Sequence, residues 1–164
     1  MTGFAGKRLE LCMEKFETVD DILDFAIGNE EDAYIFYFDL ANGMKDNTRM
    51  HDIFMGFAEQ EKGHKEKLVA AKEGNILLPA REKVLDLKLA DYLVEAEPRA
   101  DMTYQDALIL AMKKENSAFS LYSDLADAAP DPKIKDLFLF LAQEEAKHKL
   151  RLELEYDDEV FKEN

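Results

Sequence analysis

The two halves of this chain repeat one pattern of paired helices, and this repeat limits the possible folds more than any other feature. Residues 26–41, AIGNEEDAYIFYFDLA, match residues 111–126, AMKKENSAFSLYSDLA, at a shift of 85. Residues 54–68, FMGFAEQEKGHKEKL, match residues 138–152, FLFLAQEEAKHKLRL, at a shift of 84. Because apolar residues recur at steps of three and four, all four segments are predicted to be helices. The chain is therefore predicted to be a duplicated helical hairpin.

The connections between the predicted helices are unequal, and they decide the topology. The predicted helices cover residues of about 19–42, 47–73, 103–129 and 133–156. The first and third connections are short turns, whereas residues 74–102 form a long crossover in which DLKLADYLVEAE is predicted to be a short extra helix. Two antiparallel hairpins joined by one long crossover form an all-α, ferritin-like four-helix bundle. A single domain is predicted over residues 1–164: an N-terminal extension (1–18), a first hairpin (19–73), the crossover, a second hairpin (103–156) and a tail (157–164).

The composition excludes several classes of partner. The 164 residues carry a formal charge of -15 with a pI near 4.6, which argues against nucleic acid and anionic membranes as partners. No apolar run has the length of a membrane span, and the first twenty residues lack the pattern of a signal peptide, so a cytoplasmic protein is expected. One cysteine, Cys12, allows neither an internal disulfide nor a C-x-x-C metal motif within this sequence.

Charged residues interrupt the apolar stripe of every predicted helix. On the second and fourth helices a Glu-x-x-His pair stands between apolar residues, and on the first and third a single glutamate does. Residues three apart on a helix point in nearly the same direction, so each glutamate faces the same volume as its histidine. The residues in these positions are Glu30, Glu61, His64, Glu115, Glu145 and His148.

Four buried carboxylates need positive charge around them, because unpaired buried carboxylates do not ionise together. No lysine or arginine occupies the stripes, which leaves metal ions. The charge of two divalent cations balances the charge of four carboxylates if the imidazoles are neutral. Mixed carboxylate and imidazole ligation suits iron or manganese, whereas a structural zinc site is expected to use cysteines. Two of only three histidines have a glutamate three residues before them, and both pairs recur in the repeat. Coincidence is therefore rare, and this ligand set is typical of carboxylate dimetal bundles.

Several neighbouring polar residues do not recur in both halves. Glu31 aligns with Asn116, and Glu144 aligns with Gln60, so neither glutamate recurs, and both are interpreted as flanking polar residues. The third histidine, His51, lies far around its helix from the ligand positions and is interpreted as an exposed residue near a helix start.

Two tyrosines do recur. Tyr37 and Tyr122 each follow a stripe glutamate by seven residues, about 20° away around the helix axis. They are either core aromatics with a satisfied hydroxyl or donors of a hydrogen bond to a ligand carboxylate. The sequence leaves both readings open.

The segments AIxxExxAxxFY, AMxxExxAxxxY and the two ExxH pairs resemble the rubrerythrin-like branch of the ferritin-like di-iron carboxylate proteins. The resemblance covers about residues 19–156. It implies that the six stripe residues bind two iron ions, with manganese or zinc as possible replacements. It also implies a non-haem oxidoreductase that reacts with hydrogen peroxide or oxygen in oxidative stress, receives electrons from a partner protein and forms a homodimer.

This chain departs from that family pattern at two points. Full rubrerythrins have a further glutamate one turn after the third-helix ligand, where this chain has Ala118, and they carry a rubredoxin domain with four cysteines. The alternatives are an iron-binding, ferroxidase or storage protein similar to bacterioferritin, and a regulatory bundle stabilised by metal. Bacterioferritin ranks second because its crossover is shorter than the 50 residues between His64 and Glu115 here.

Overall fold

Four α-helices make up almost all of the chain that the computed structural model describes, which is residues 18–74, 101–129 and 131–163. Helix α1 is Val19–Gly43, α2 is Thr48–Lys72, α3 is Tyr104–Ala128 and α4 is Pro132–Glu163. These ranges contain no strand, so the predicted all-α fold is confirmed. The predicted crossover helix and nearly all of the predicted N-terminal extension lie outside the described residues.

The residues that begin the helices also repeat between the halves. Thr18 caps α1 and Thr103 caps α3, each in a capping box with the aspartate three residues later. Asn47 accepts a hydrogen bond from a first-turn amide of α2, and Asp131 does the same two residues ahead in α4. The shift is again 85 for the first pair and 84 for the second. The duplication therefore extends to the helix starts.

Helix α4 is longer than its sequence pattern predicted. The apolar pattern ends near Tyr156, but the helix continues to Glu163. Its last turns gain support from an ion pair between Arg49 Nη2 of α2 and Asp158 Oδ2 at 3.2 Å, and from Lys162, whose Nζ lies 2.7 Å from the same oxygen. Residues 157–163, predicted to be a tail, are therefore helical.

Two apolar clusters divide the interior along the bundle axis. Along the chain, α1 and α4 each pass from cluster 1 to cluster 2. Helices α2 and α3 each pass from cluster 2 to cluster 1. Each hairpin is therefore antiparallel, and α2 ends at the opposite end of the bundle from the start of α3. Cluster 1 includes Leu23, Leu68, Leu125, Leu137 and Leu141, and cluster 2 includes Tyr37, Phe54, Phe57, Leu108 and Leu152.

Candidate metal centre

A layer of buried polar side chains separates the two apolar clusters. Every helix reaches this layer midway between its residues in cluster 1 and its residues in cluster 2. The structure brings all six predicted residues together here, and each is between 1% and 4% exposed: Glu30, Glu61, His64, Glu115, Glu145 and His148.

Glu61 and Glu145 lie at the middle of this layer, on α2 and α4. One oxygen of Glu61 is 3.1 Å from His64 Nδ1, and its other oxygen is 3.0 Å from His148 Nδ1. Glu145 has the same arrangement, at 3.1 Å from His64 Nδ1 and 3.4 Å from His148 Nδ1. Each of these carboxylates therefore directs one oxygen toward His64 and the other oxygen toward His148, which is the arrangement that a bridging ligand needs.

The six side chains form two overlapping groups of possible metal ligands. In each group, one nitrogen or oxygen atom per residue lies within 4.8 Å of all the others. Glu61 and Glu145 belong to both groups. Glu30 and His64 complete the first, which we term the Glu30–His64 position. Glu115 and His148 complete the second, the Glu115–His148 position.

The two histidine rings stack against each other and turn the same nitrogen toward the glutamates. Their centroids are 5.2 Å apart and their planes differ by 12°. In each ring Nδ1 faces the carboxylates, whereas Nε2 faces outward. The inward nitrogens are therefore the ones available to a metal ion.

Gln60 fixes which nitrogen of His148 keeps its proton. Its amide Nε2 donates to the carbonyl oxygen of Gly56 at 3.1 Å, so its Oε1 is the atom that lies 3.0 Å from His148 Nε2. An amide oxygen can only accept, so His148 Nε2 carries the hydrogen. The neutral ring therefore has its lone pair on Nδ1, toward the glutamates.

Glu144 occupies the matching place behind His64. Its Oε2 lies 3.9 Å from His64 Nε2, and its Oε1 accepts a hydrogen bond from Lys147 Nζ at 2.8 Å. The contact with His64, aided by Lys147, lowers the pKa of Glu144 to about 2. Glu144 is therefore an anion at neutral pH. Neither Gln60 nor Glu144 is among the predicted ligands, and the sequence pattern predicts only a flanking polar role for Glu144.

The two recurring tyrosines reach across the bundle to Glu115 and Glu30, the glutamates that each belong to only one ligand group. Tyr37 of α1 donates its hydroxyl to Glu115 of α3, and Tyr122 of α3 donates to Glu30 of α1. Both rings are fully buried. Of the two readings that the sequence left open, the hydrogen bond to a carboxylate of the layer is the one observed.

One aromatic contact has no counterpart in the other half. Phe57 stacks on Tyr37 at 5.2 Å between centroids and places its ring edge-on to His148, also at 5.2 Å. The repeat mate of Phe57 is Leu141, which is buried in cluster 1. The surroundings of the two positions therefore differ beyond the six central side chains.

Protons balance the buried charge of this layer. Burial, with the nearby charge of Glu145, raises the pKa of Glu30 to about 8, and burial raises that of Glu115 well above its usual range. Burial opposes charge on the histidines as well, but the surrounding carboxylates raise the pKa of His64 and His148 well above normal. These raised pKa values favour protons on the two histidines, Glu30 and Glu115 in the metal-free layer.

The donor set of the layer fits divalent cations. Glu30 Oε2 is buried and, among the described residues, no donor reaches it within hydrogen-bond geometry. Two divalent cations carry the same charge as one proton on each of the two histidines, Glu30 and Glu115. Replacing those protons by two cations therefore leaves the charge of the layer unchanged, with oxygen and nitrogen ligands that iron accepts.

The other residues singled out from the sequence lie outside the layer. Glu31 pairs with Lys65 at 2.6 Å near the surface, and His51 contacts its neighbour Asp52 at 3.1 Å. Ala118 is partly buried one turn after Glu115 and contributes no ligand atom. Within the ranges that the structure describes, no helix is long and apolar enough to cross a membrane.

Comparison with known proteins gives one match. The family model described as rubrerythrin matches residues 21–156. The searches of curated proteins and of solved structures gave no match.

Proposed function

Since the chain belongs to the rubrerythrin family, we propose that its buried layer holds two iron ions and that the protein is a non-haem di-iron oxidoreductase. The observation that carries the proposal is the pair of overlapping ligand groups with Glu61 and Glu145 in common. Glu61 and Glu145 would be ligands of both ions. Glu30 and His64 would complete the ligands of one ion, and Glu115 and His148 would complete those of the other.

The proposed reaction is the reduction of hydrogen peroxide or oxygen. Two bound ferrous ions would supply the two electrons that this reduction needs, and a separate donor protein would restore them. The chain's own residues prepare the site in three ways. Clusters 1 and 2 exclude water on both sides, Tyr37 and Tyr122 orient Glu115 and Glu30, and Gln60 keeps the His148 lone pair on the inner nitrogen.

A second candidate function is iron binding or ferrous oxidation without rapid turnover. It is favoured by Ala118, which stands where full rubrerythrins have a further carboxylate, and by its repeat mate Ala33, which is also an alanine. Without that ligand an ion cannot exchange carboxylates as its charge changes. Both candidates need the same two ions, so the metal content must be measured first and the turnover second.

The test begins with protein reconstituted anaerobically with Fe²⁺ and analysed for metal. We expect two ions per chain in the wild type. His64→Ala and His148→Ala should each lose at least one ion. His51→Ala is the matched control, because it removes the histidine that lies outside the layer. Two ions retained in His64→Ala and His148→Ala would exclude the proposed ligands.

The second stage separates the two functions. Stopped-flow oxidation of the ferrous protein by peroxide should be fast in either case. Steady-state peroxide consumption with a rubredoxin-type reductant should be fast only for the oxidoreductase. Slow turnover that rises in Ala118→Glu would support iron handling in the natural protein, while fast turnover unaffected by this substitution would support the enzyme.

A further inference from the structure

The outward nitrogens of the two histidines face side chains of different charge. His148 Nε2 lies 3.0 Å from the neutral amide oxygen of Gln60, whereas His64 Nε2 lies 3.9 Å from a carboxylate oxygen of Glu144. Gln60 and Glu144 are repeat mates at a shift of 84, so this is the same place in each half. The halves therefore agree at all six central residues and differ directly behind the histidines, where one half has an amide and the other has a carboxylate that is paired with Lys147.

A carboxylate behind a histidine strengthens the bond that its other nitrogen makes to a metal ion. The negative charge stabilises the positive charge that the ring acquires when it donates its lone pair, and an amide oxygen does this more weakly. Lys147 bonds the far oxygen of Glu144 at 2.8 Å, which holds the carboxylate in place with its other oxygen toward His64. The contact lies at the edge of the layer, and the Glu144 side chain is 23% exposed.

We propose that the two metal positions are unequal, and that the Glu30–His64 position binds a divalent cation first and more tightly because of Glu144. Glu144 is a positioning residue that acts through His64, and Gln60 is its weaker counterpart behind His148. This inference rests on the proposed function, since it requires that the layer binds metal ions. It adds an order of loading to that function.

The probe is Co²⁺, which is added stepwise under anaerobic conditions at fixed pH to the full-length, metal-free chain. Calorimetry gives the two affinities, and the visible spectrum of Co²⁺ reports each position independently of any activity. The wild type should bind in two steps that differ by about tenfold or more. The tighter step should be missing in His64→Ala and the weaker step in His148→Ala.

The sharpest test moves the carboxylate from position 144 to position 60 by substitution. Glu144→Gln should weaken the first step by about tenfold and bring the two steps together, while Gln60→Glu should strengthen the second. The double variant Gln60→Glu with Glu144→Gln should reverse the order of loading. A purely structural role for Glu144 cannot produce the gain in Gln60→Glu. Glu66→Gln is the matched control, because this substitution removes the same charge as Glu144→Gln. Glu66 is exposed and lies on the face of α2 opposite His64.

Three results would overturn the inference. Two equal steps in the wild type would show that the outer charge does not matter, as would a Glu144→Gln variant that binds like the wild type. Loss of the tighter step in His148→Ala would show that the order is the opposite. Failure of the wild type to bind Co²⁺ in the layer would instead remove the proposed function itself. Circular dichroism of each metal-free variant checks that the helices remain.

Discussion

The first hairpin, α1 with α2, and the second, α3 with α4, agree closely at the centre of the bundle and diverge one contact away from it. Each half supplies one glutamate that belongs to both ligand groups, one glutamate that belongs to a single group, and one histidine. Each half also supplies a tyrosine that donates a hydrogen bond to the single-group glutamate of the other half. The difference begins with the residues that contact the histidines from outside. Glu144 is the repeat mate of Gln60, and Leu141 is the repeat mate of Phe57.

In the proposed metal site, a residue whose oxygen or nitrogen faces the shared centre has the same role in both halves, because Glu61 and Glu145 belong to both ligand groups. A residue in the next shell serves one position only. It can therefore change in one half without changing the other, and the duplicated halves can become unequal there.

The largest expected effect is the loss of both metal ions when one bridge is removed. Glu61→Gln and Glu145→Gln should each weaken both binding steps by about 100-fold or more, because a unit charge about 4 Å from a cation contributes about 4 kcal/mol at an effective dielectric of 20. Calorimetric titration with Co²⁺ measures this. Glu30→Gln and Glu115→Gln are the contrast, since each should weaken one step only. A bridging variant that loses a single step would show that the halves are not joined through these carboxylates.

The next effect is a fall in the stability of the metal-free protein as the pH rises from 5 to 8. The pKa of Glu30 is raised to about 8, and that of Glu115 is raised as well, so the folded state binds more protons than the unfolded state above about pH 4.5. The raised pKa values of the two histidines increase this difference in bound protons above about pH 6.5. Stability therefore decreases with pH across this window, by an amount on the order of a few kcal/mol. The lowered pKa values of Glu61 and Glu145 act in the opposite direction, but only below about pH 4.5.

Denaturant unfolding of the metal-free and metal-loaded forms at several pH values measures this effect. The loaded form should show a much weaker dependence, because the ions replace the protons. Glu30→Gln and Glu115→Gln each remove one titrating carboxyl, and each should flatten the metal-free curve. Equal curves for loaded and metal-free protein would mean that protons do not occupy the layer in place of metal.

A smaller effect is expected from the two tyrosine hydroxyls, and it should be the same in both halves. Tyr37→Phe should weaken binding at the Glu115–His148 position about tenfold, and Tyr122→Phe should do so at the Glu30–His64 position. The titration assigns each step, and Tyr34→Phe is the control, a partly buried tyrosine of α1 outside the layer. Clearly different losses in Tyr37→Phe and Tyr122→Phe would place the divergence of the halves closer to the centre than we infer.

The sequence predicted the fold and the central residues because both depend on periodicity along one helix. A glutamate and a histidine three apart must share a face, and the repeat separated the recurring residues from incidental ones. The histidines that Gln60 and Glu144 contact lie on another helix, and periodicity does not give the distance and rotation between helices that make those contacts. The same limit explains α4, whose last turns depend on Arg49 of α2. One clue was present, since Gln60 and Glu144 are repeat mates that both carry an acceptor oxygen.

The smallest expected effect belongs to Phe57, whose ring edge contacts His148 while its mate in the other half is a leucine. Phe57→Leu makes the halves alike at this place. It should cost about 1 kcal/mol of unfolding free energy through the lost stacking on Tyr37, and it should weaken the Glu115–His148 step by a few-fold because the ring of His148 loses its lateral support. Phe54→Leu is the matched control, because Phe54 also stacks on Tyr37, at 6.3 Å, and its mate Phe138 stacks on Tyr122 in the same way. If Phe54→Leu lowers the affinity of that step as much as Phe57→Leu does, the contact with His148 has no role of its own, and the inequality of the halves rests on Glu144 and Gln60 alone.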